Sequence, residues 1–76
     1  MELKEKDTIK DVLLSIQEQN KPVDILLKSG KMYKGTILTV GHHCVSLKQR
    51  GDRSFFDAII RLEDIATIEV QVRGTS

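Results

Sequence analysis

Pro22-Val23-Asp24-Ile25-Leu26-Leu27-Lys28-Ser29-Gly30-Lys31-Met32-Tyr33-Lys34-Gly35-Thr36-Ile37 is the stretch on which the fold of this 76-residue chain turns. Val23, Ile25 and Leu27 alternate with Asp24, Leu26 and Lys28, the period of two that puts each set of side chains on its own face of a strand. Ser29-Gly30-Lys31 has turn chemistry and closes that strand. A second strand follows from Met32 to about Val40, with Gly35 inside it. A glycine in a strand interior marks a sharp bend or a close backbone approach. In a small barrel such a bend lets one strand serve both sheets.

Upstream, Ile9, Val12, Leu13 and Ile16 have the i, i+3, i+4, i+7 spacing of one helical face, which predicts an amphipathic helix over about residues 8–19 covering the open end of the barrel. Asp7 or Thr8 is placed to cap its first amides, and Asn20 with Pro22 beyond it supplies the stop. Downstream, Gly41 breaks the second strand, and Cys44 to Lys48 reads as a third with Val45 and Leu47 on one side. Gln49-Arg50-Gly51-Asp52-Arg53-Ser54 has the chemistry of a hairpin loop. A fourth strand from Phe55 to Arg61 and a fifth from Ile65 to about Val72 are joined at a tight corner by Leu62-Glu63-Asp64. The residues through Lys6 and the tail Gly74-Thr75-Ser76 read as frayed ends. The order is one helix and then five short strands: a mainly β chain built as a strongly bent, antiparallel, partly open barrel of SH3, OB or Sm type.

Composition sets limits on function. The length predicts one domain over residues 1–76, with the barrel at about 22–72 and so little buried surface that an isolated monomer is marginal. The lone cysteine, Cys44, rules out an intrachain disulfide, and with only Tyr33, Phe55 and Phe56 as aromatics the core is left to branched aliphatics. Oligomerisation is the remaining source of stability. Twelve basic and eleven acidic residues give a net charge of +1, so any anion site is local. The longest uncharged run, Gly35 to Leu47, falls short of a membrane span, and the charged N-terminus is unlike a signal peptide, which predicts a soluble cytoplasmic protein. Thr8, Ser15 and Ser46 have no base or acid partner visible in sequence, so no enzyme and no cofactor is expected. His42, His43 and Cys44 are consecutive and diverge in an extended chain, unlike the spaced ligands of a metal site. Arg50-Gly51-Asp52 spells an adhesion tripeptide, which at a hairpin tip carries no weight.

The Pro22–Ile37 segment, with Gly30 and Gly35 at matching spacing, resembles the first motif of the Sm-like family, which includes bacterial Hfq and archaeal and eukaryotic Sm-like proteins. A helix that stops just before a Pro-Val pair is similar to Hfq. Ile60-Arg61-Leu62-Glu63-Asp64-Ile65 resembles the second Sm motif, whose archaeal form reads Ile-Arg-Gly-Asp-Asn-Val. The resemblance covers about residues 8–70. It implies a ring of six or seven subunits, with five also open, in which the fourth strand of one subunit pairs with the fifth of the next. Ring closure also removes exposed strand edges, in keeping with the size argument.

The resemblance further implies binding of single-stranded RNA. The family's base-binding loop reads Asp-x-His-Met-Asn or Asp-Gln-Phe, and the matching residues are Gly41-His42-His43-Cys44-Val45. His43 falls at the stacking ring and Arg61 at the second motif's arginine. A base sandwiched between ring and guanidinium gains ~1–3 kcal/mol with little regard to its identity. Four departures bear on the match. Gly41 replaces the loop aspartate and Val45 the asparagine that reads the base edge, while Leu62-Glu63 replaces a Lys-His pair of Hfq and Asp64 adds a negative charge. Leu26 stands where Hfq has an adenine-stacking aromatic, with Lys31 and Lys34 nearby, and Lys48, Arg50 and Arg53 form a third candidate phosphate surface. The expected site is therefore His42, His43, Arg61, Lys31, Lys34, Lys48, Arg50 and Arg53, and the partner single-stranded RNA with relaxed specificity. An Sm-fold ring that serves as a protein scaffold without RNA is the alternative, and Arg61 ion-paired to Glu63 or Asp64 of a neighbouring subunit would fit it.

Overall fold

Thr8 opens the helix with a reciprocal cap in the computed structural model, which describes residues 8–71. Its Oγ1 accepts from the Asp11 amide at 3.2 Å while its own amide donates to Asp11 Oδ2 at 3.3 Å, satisfying two donors that the first turn leaves free. Helix α1 (Ile9–Gln19) ends where Asn20 turns left-handed at φ 53°. Both caps are read correctly from sequence, Thr8 being the one of the two N-terminal candidates that is used.

Five strands follow: β1 (Pro22–Leu27), β2 (Met32–Val40), β3 (Cys44–Gln49), β4 (Asp57–Arg61) and β5 (Ile65–Val70). They form one antiparallel sheet in the order β4-β3-β2-β1-β5. Consecutive strands β4 and β5 thus sit at opposite ends of the sheet although only the 3-10 turn Leu62–Asp64 joins them. In a flat sheet those edges would be about 19 Å apart, whereas the chain from Arg61 to Ile65 spans at most about 14 Å. The sheet must curl, which is the bent barrel that the alternation predicts.

Gly35 makes the curl possible. It is buried against β3, and a Cβ there would lie 2.8 Å from the Lys48 carbonyl carbon, 3.1 Å from Gln49 Cα and still closer to the Lys48 oxygen. Further along, the β2–β3 register slips between Ile37 and Thr39. The Leu38 carbonyl, skipped by the ladder, accepts from Gln17 Nε2 at 2.6 Å and so ties α1 to β2. Leu13 and Ile16 of α1 then close a core made with Val23, Ile25, Ile37, Val45, Leu47, Ala58, Ile60 and Ile65, all aliphatic. Burying one such side chain contributes about 1.5–3 kcal/mol. No helix among the described residues is long and apolar enough to cross a membrane.

Two stretches depart from the sequence reading. The fourth strand starts at Asp57, not Phe55, and the loop before it carries a 3-10 turn at Gly51–Arg53 with Gly51 at φ 68°. The turn continues through Phe56, whose amide donates to the Arg53 carbonyl at 2.9 Å, while buried Gln49 donates from Nε2 to the Phe56 carbonyl at 3.1 Å. Both bonds hold the Phe-Phe pair out of the ladder and leave Phe55 94% exposed. The fifth strand ends at Val70, short of the expected Val72: Gln71 has left the ladder, and Val72, like the frayed ends, lies outside the described residues.

Candidate functional site

Strand pairing brings the two halves of the site together. Cys44 and Arg61 are opposite one another in the β3–β4 ladder, so the loop just before β3 and the last residue of β4 meet at one corner. A turn bond from the Gly41 amide to the Cys44 carbonyl (2.8 Å) shapes that loop, and the Leu62 amide donates to the His43 carbonyl at 2.8 Å, pinning it to the chain after β4. The result is an open pocket of about 520 Å³ lined by His42, His43, Cys44, Arg61, Leu62 and Glu63.

Its side chains are at the surface. The His42 and His43 rings are 6.4 Å apart and tilted by 52°, so they do not stack on each other. Arg61 forms an ion pair with Glu63 of its own chain, both about two-thirds exposed, which at such exposure contributes little to stability. Within the chain, Glu63 therefore holds the guanidinium that a ligand would meet. Val45 points into the core at 1% exposure and Gly41 has no side chain, so neither offers a group that reads a base edge. Free Cys44, half-buried in the wall, is the one weak thiol donor there.

Of the eight expected site residues, His42, His43 and Arg61 come together and the other five lie elsewhere. Lys31 stands over the Tyr33 ring, 4.9 Å from its centroid, at the β1–β2 turn. Lys34 lies opposite Asp24 in the β1–β2 ladder, and Lys48 opposite Asp57 in the β3–β4 ladder. Arg50 is bound to Asp24 at 2.8 Å, and Arg53 covers Phe56 at 4.4 Å. The three cations of the supposed rim surface thus have partners or facing carboxylates, which no sequence pattern announces.

Two further residues, Cys44 in the pocket wall and Lys10 against His42, have no sequence signal that selects them. Cys44 enters through its ladder position. Lys10, in the first turn of α1, reaches His42 across 32 positions, its Nζ 3.2 Å from Nδ1. No group of three or more His, Cys, Asp or Glu among the described residues could hold a metal ion.

No protein-family model matches the chain, and neither does any curated protein. Solved structures do match. The pleiotropic translational regulator Hfq superposes with a TM-score of 0.73 at 18% identity, over 92% of this chain and 100% of that one. An Hfq protein from Anabaena sp. superposes with a TM-score of 0.63 at 27% identity, over 79% of this chain and 90% of that one. The N-terminal helix followed by five antiparallel strands in one sheet is the Sm-like/Hfq fold.

Proposed function

We propose that this chain, folded as an Sm-like/Hfq protein, is a non-enzymatic cytoplasmic ring protein that binds single-stranded RNA with relaxed sequence preference, holding a base between His43 and Arg61. The observation that carries this reading is the convergence of His43 and Arg61, from different strands, on one open pocket. An imidazole and a guanidinium both offer flat faces to a base, and stacking of that kind is worth ~1–3 kcal/mol per base whatever its identity. The buried Val45 and bare Gly41 remove the groups that would choose among bases. One structural neighbour is a translational regulator, which supports RNA as partner and, with the free Cys44 thiol, a cytoplasmic setting.

Assembly is supported by the two free edges. Among the described residues, β4 and β5 have no partner within the sheet beyond β3 and β1, and Ile59 on β4 is 76% exposed, a combination that invites pairing with another copy. A ring of five to seven subunits joined β4 to β5 satisfies both edges at once.

Binding of labelled oligo-U, oligo-A and mixed RNA, measured by fluorescence anisotropy across a salt series, tests the reading. Similar affinities for the three RNAs are expected, with His43→Ala and Arg61→Ala each weakening binding by about 5- to 100-fold. Unchanged affinity in both variants would refute the pocket. Sedimentation at micromolar concentration is expected to show a multimer, and a folded monomer would refute the ring. The scaffold reading is favoured by one observation, the Glu63 carboxylate already occupying Arg61. A stable multimer that binds no RNA even at low salt would select it.

A further inference from the structure

Lys10 occupies the second position of α1, where the positive end of the helix dipole disfavours a cation. Helix stability does not explain it. Its ammonium instead reaches the loop between β2 and β3 and lies 3.2 Å from His42 Nδ1. An ammonium has only donor hydrogens, so in this contact Nδ1 is the accepting atom. His42 is thereby held by its edge, its ring tilted away from that of His43.

The charges around the pocket point the same way. Arg61, the cation in the pocket wall, is neutralised by Glu63. Among the described residues, no carboxylate lies within ion-pair distance of Lys10, and the nearest acid in sequence, Asp11, is engaged with Thr8 in the helix cap. Among the described residues, the positive charge at this corner without a carboxylate partner is that of Lys10. An ammonium held against His42, a residue of the pocket wall, is suited to the phosphate that accompanies a base bound there, since Lys binds phosphate as a compact point charge.

Resting on the RNA-binding reading above, we propose that Lys10 is the phosphate-binding cation of this site and that His42 is its positioning residue, holding the ammonium against the pocket wall through Nδ1 and not stacking on a base. The chain thus draws the positive charge of its site from the helix. The consequence for RNA is a path that runs from the His43–Arg61 corner toward the first turn of α1.

The test uses the full chain and a labelled single-stranded oligonucleotide. Lys10→Ala is expected to weaken binding by about 5- to 10-fold near 0.1 M salt and to lower the slope of log affinity against log salt by about 0.7 for each phosphate no longer neutralised. Lys10→Arg keeps the slope. His42→Asn, which retains an acceptor near the Nδ1 position, is expected to bind within about 2-fold of the unaltered protein, whereas His42→Phe, which keeps a flat ring and loses the acceptor, follows Lys10→Ala. The ring nitrogen shifts of His42 in the free protein are expected to show the Nε2–H form and to change in Lys10→Ala. An unchanged salt slope in Lys10→Ala overturns the proposal, as does normal binding by His42→Phe with loss in His42→Asn. Those results alongside lost binding in His43→Ala and Arg61→Ala would overturn this proposal alone, whereas no RNA binding by the unaltered protein would overturn both readings.

Discussion

At one end of the β2–β3 pair, Gly35 faces Gln49 with no room for a methyl group, while at the other the chain passes from Val40 through an exposed His42-His43 loop into Val45. The first end is governed by volume. There the backbones of two strands touch and one added carbon must displace main chain. The second end needs only a turn, closed by the Gly41–Cys44 bond, so its side chains contribute little to folding and are free to meet a ligand. The contrast teaches that the residues that make the barrel and those that make the pocket are separable, although only the stretch from Thr36 to Val40 divides Gly35 from the loop that begins at Gly41.

Gly35→Ala is the strongest way to break this contrast. The methyl overlaps the Lys48 carbonyl, a backbone group that cannot rotate aside, and a loss of about 3 kcal/mol or more is expected, read as a large fall in the urea midpoint. A midpoint near that of the unaltered protein would show that the strands separate cheaply and that the two ends do not differ. His43→Ala and Arg61→Ala should do the opposite, lowering RNA affinity while leaving stability in urea within about 0.5 kcal/mol.

Thr8→Ala is intermediate. It removes the cap of the helix that carries both Lys10 and the Gln17 strut to Leu38, and about 1 kcal/mol of stability should be lost. Thermal melting followed by circular dichroism checks it. The smallest effect is expected from Glu63→Gln. Its stability should change by less than about 0.5 kcal/mol, because both partners of the pair are largely in solvent. Freeing Arg61 should nevertheless tighten RNA binding by about 2- to 5-fold, the range one exposed ion pair is worth. No gain in affinity would mean that Arg61 does not touch RNA, and would favour the scaffold reading.

Much of the barrel is legible in the sequence. The alternation of Val23 with Ile25 and of Val45 with Leu47 marks residues that are all buried, and Gly35, Thr8 and Asn20 act where local chemistry predicts. Phe55 and Phe56 mislead, because two adjacent aromatics look like strand material. What excludes them is the amide of Gln49, a residue from the neighbouring strand that takes the Phe56 carbonyl. The pocket is only half legible. His43 and Arg61 stand out through their resemblance to Sm motifs, whereas Lys10 and His42 are 32 positions apart and nothing in their surroundings links them.

By itself, the sequence determined the order of the elements, their caps and the place of the bend. Period, turn chemistry and the missing side chain of a glycine act over a few residues and need no partner. Only the tertiary structure decided which charges are spent and which remain. Arg50 is taken by Asp24, Arg61 by Glu63, and Lys10 is turned onto His42. Two of these pairings join distant parts of the chain, and they form because curling the sheet and docking the helix set the distances at which charges meet.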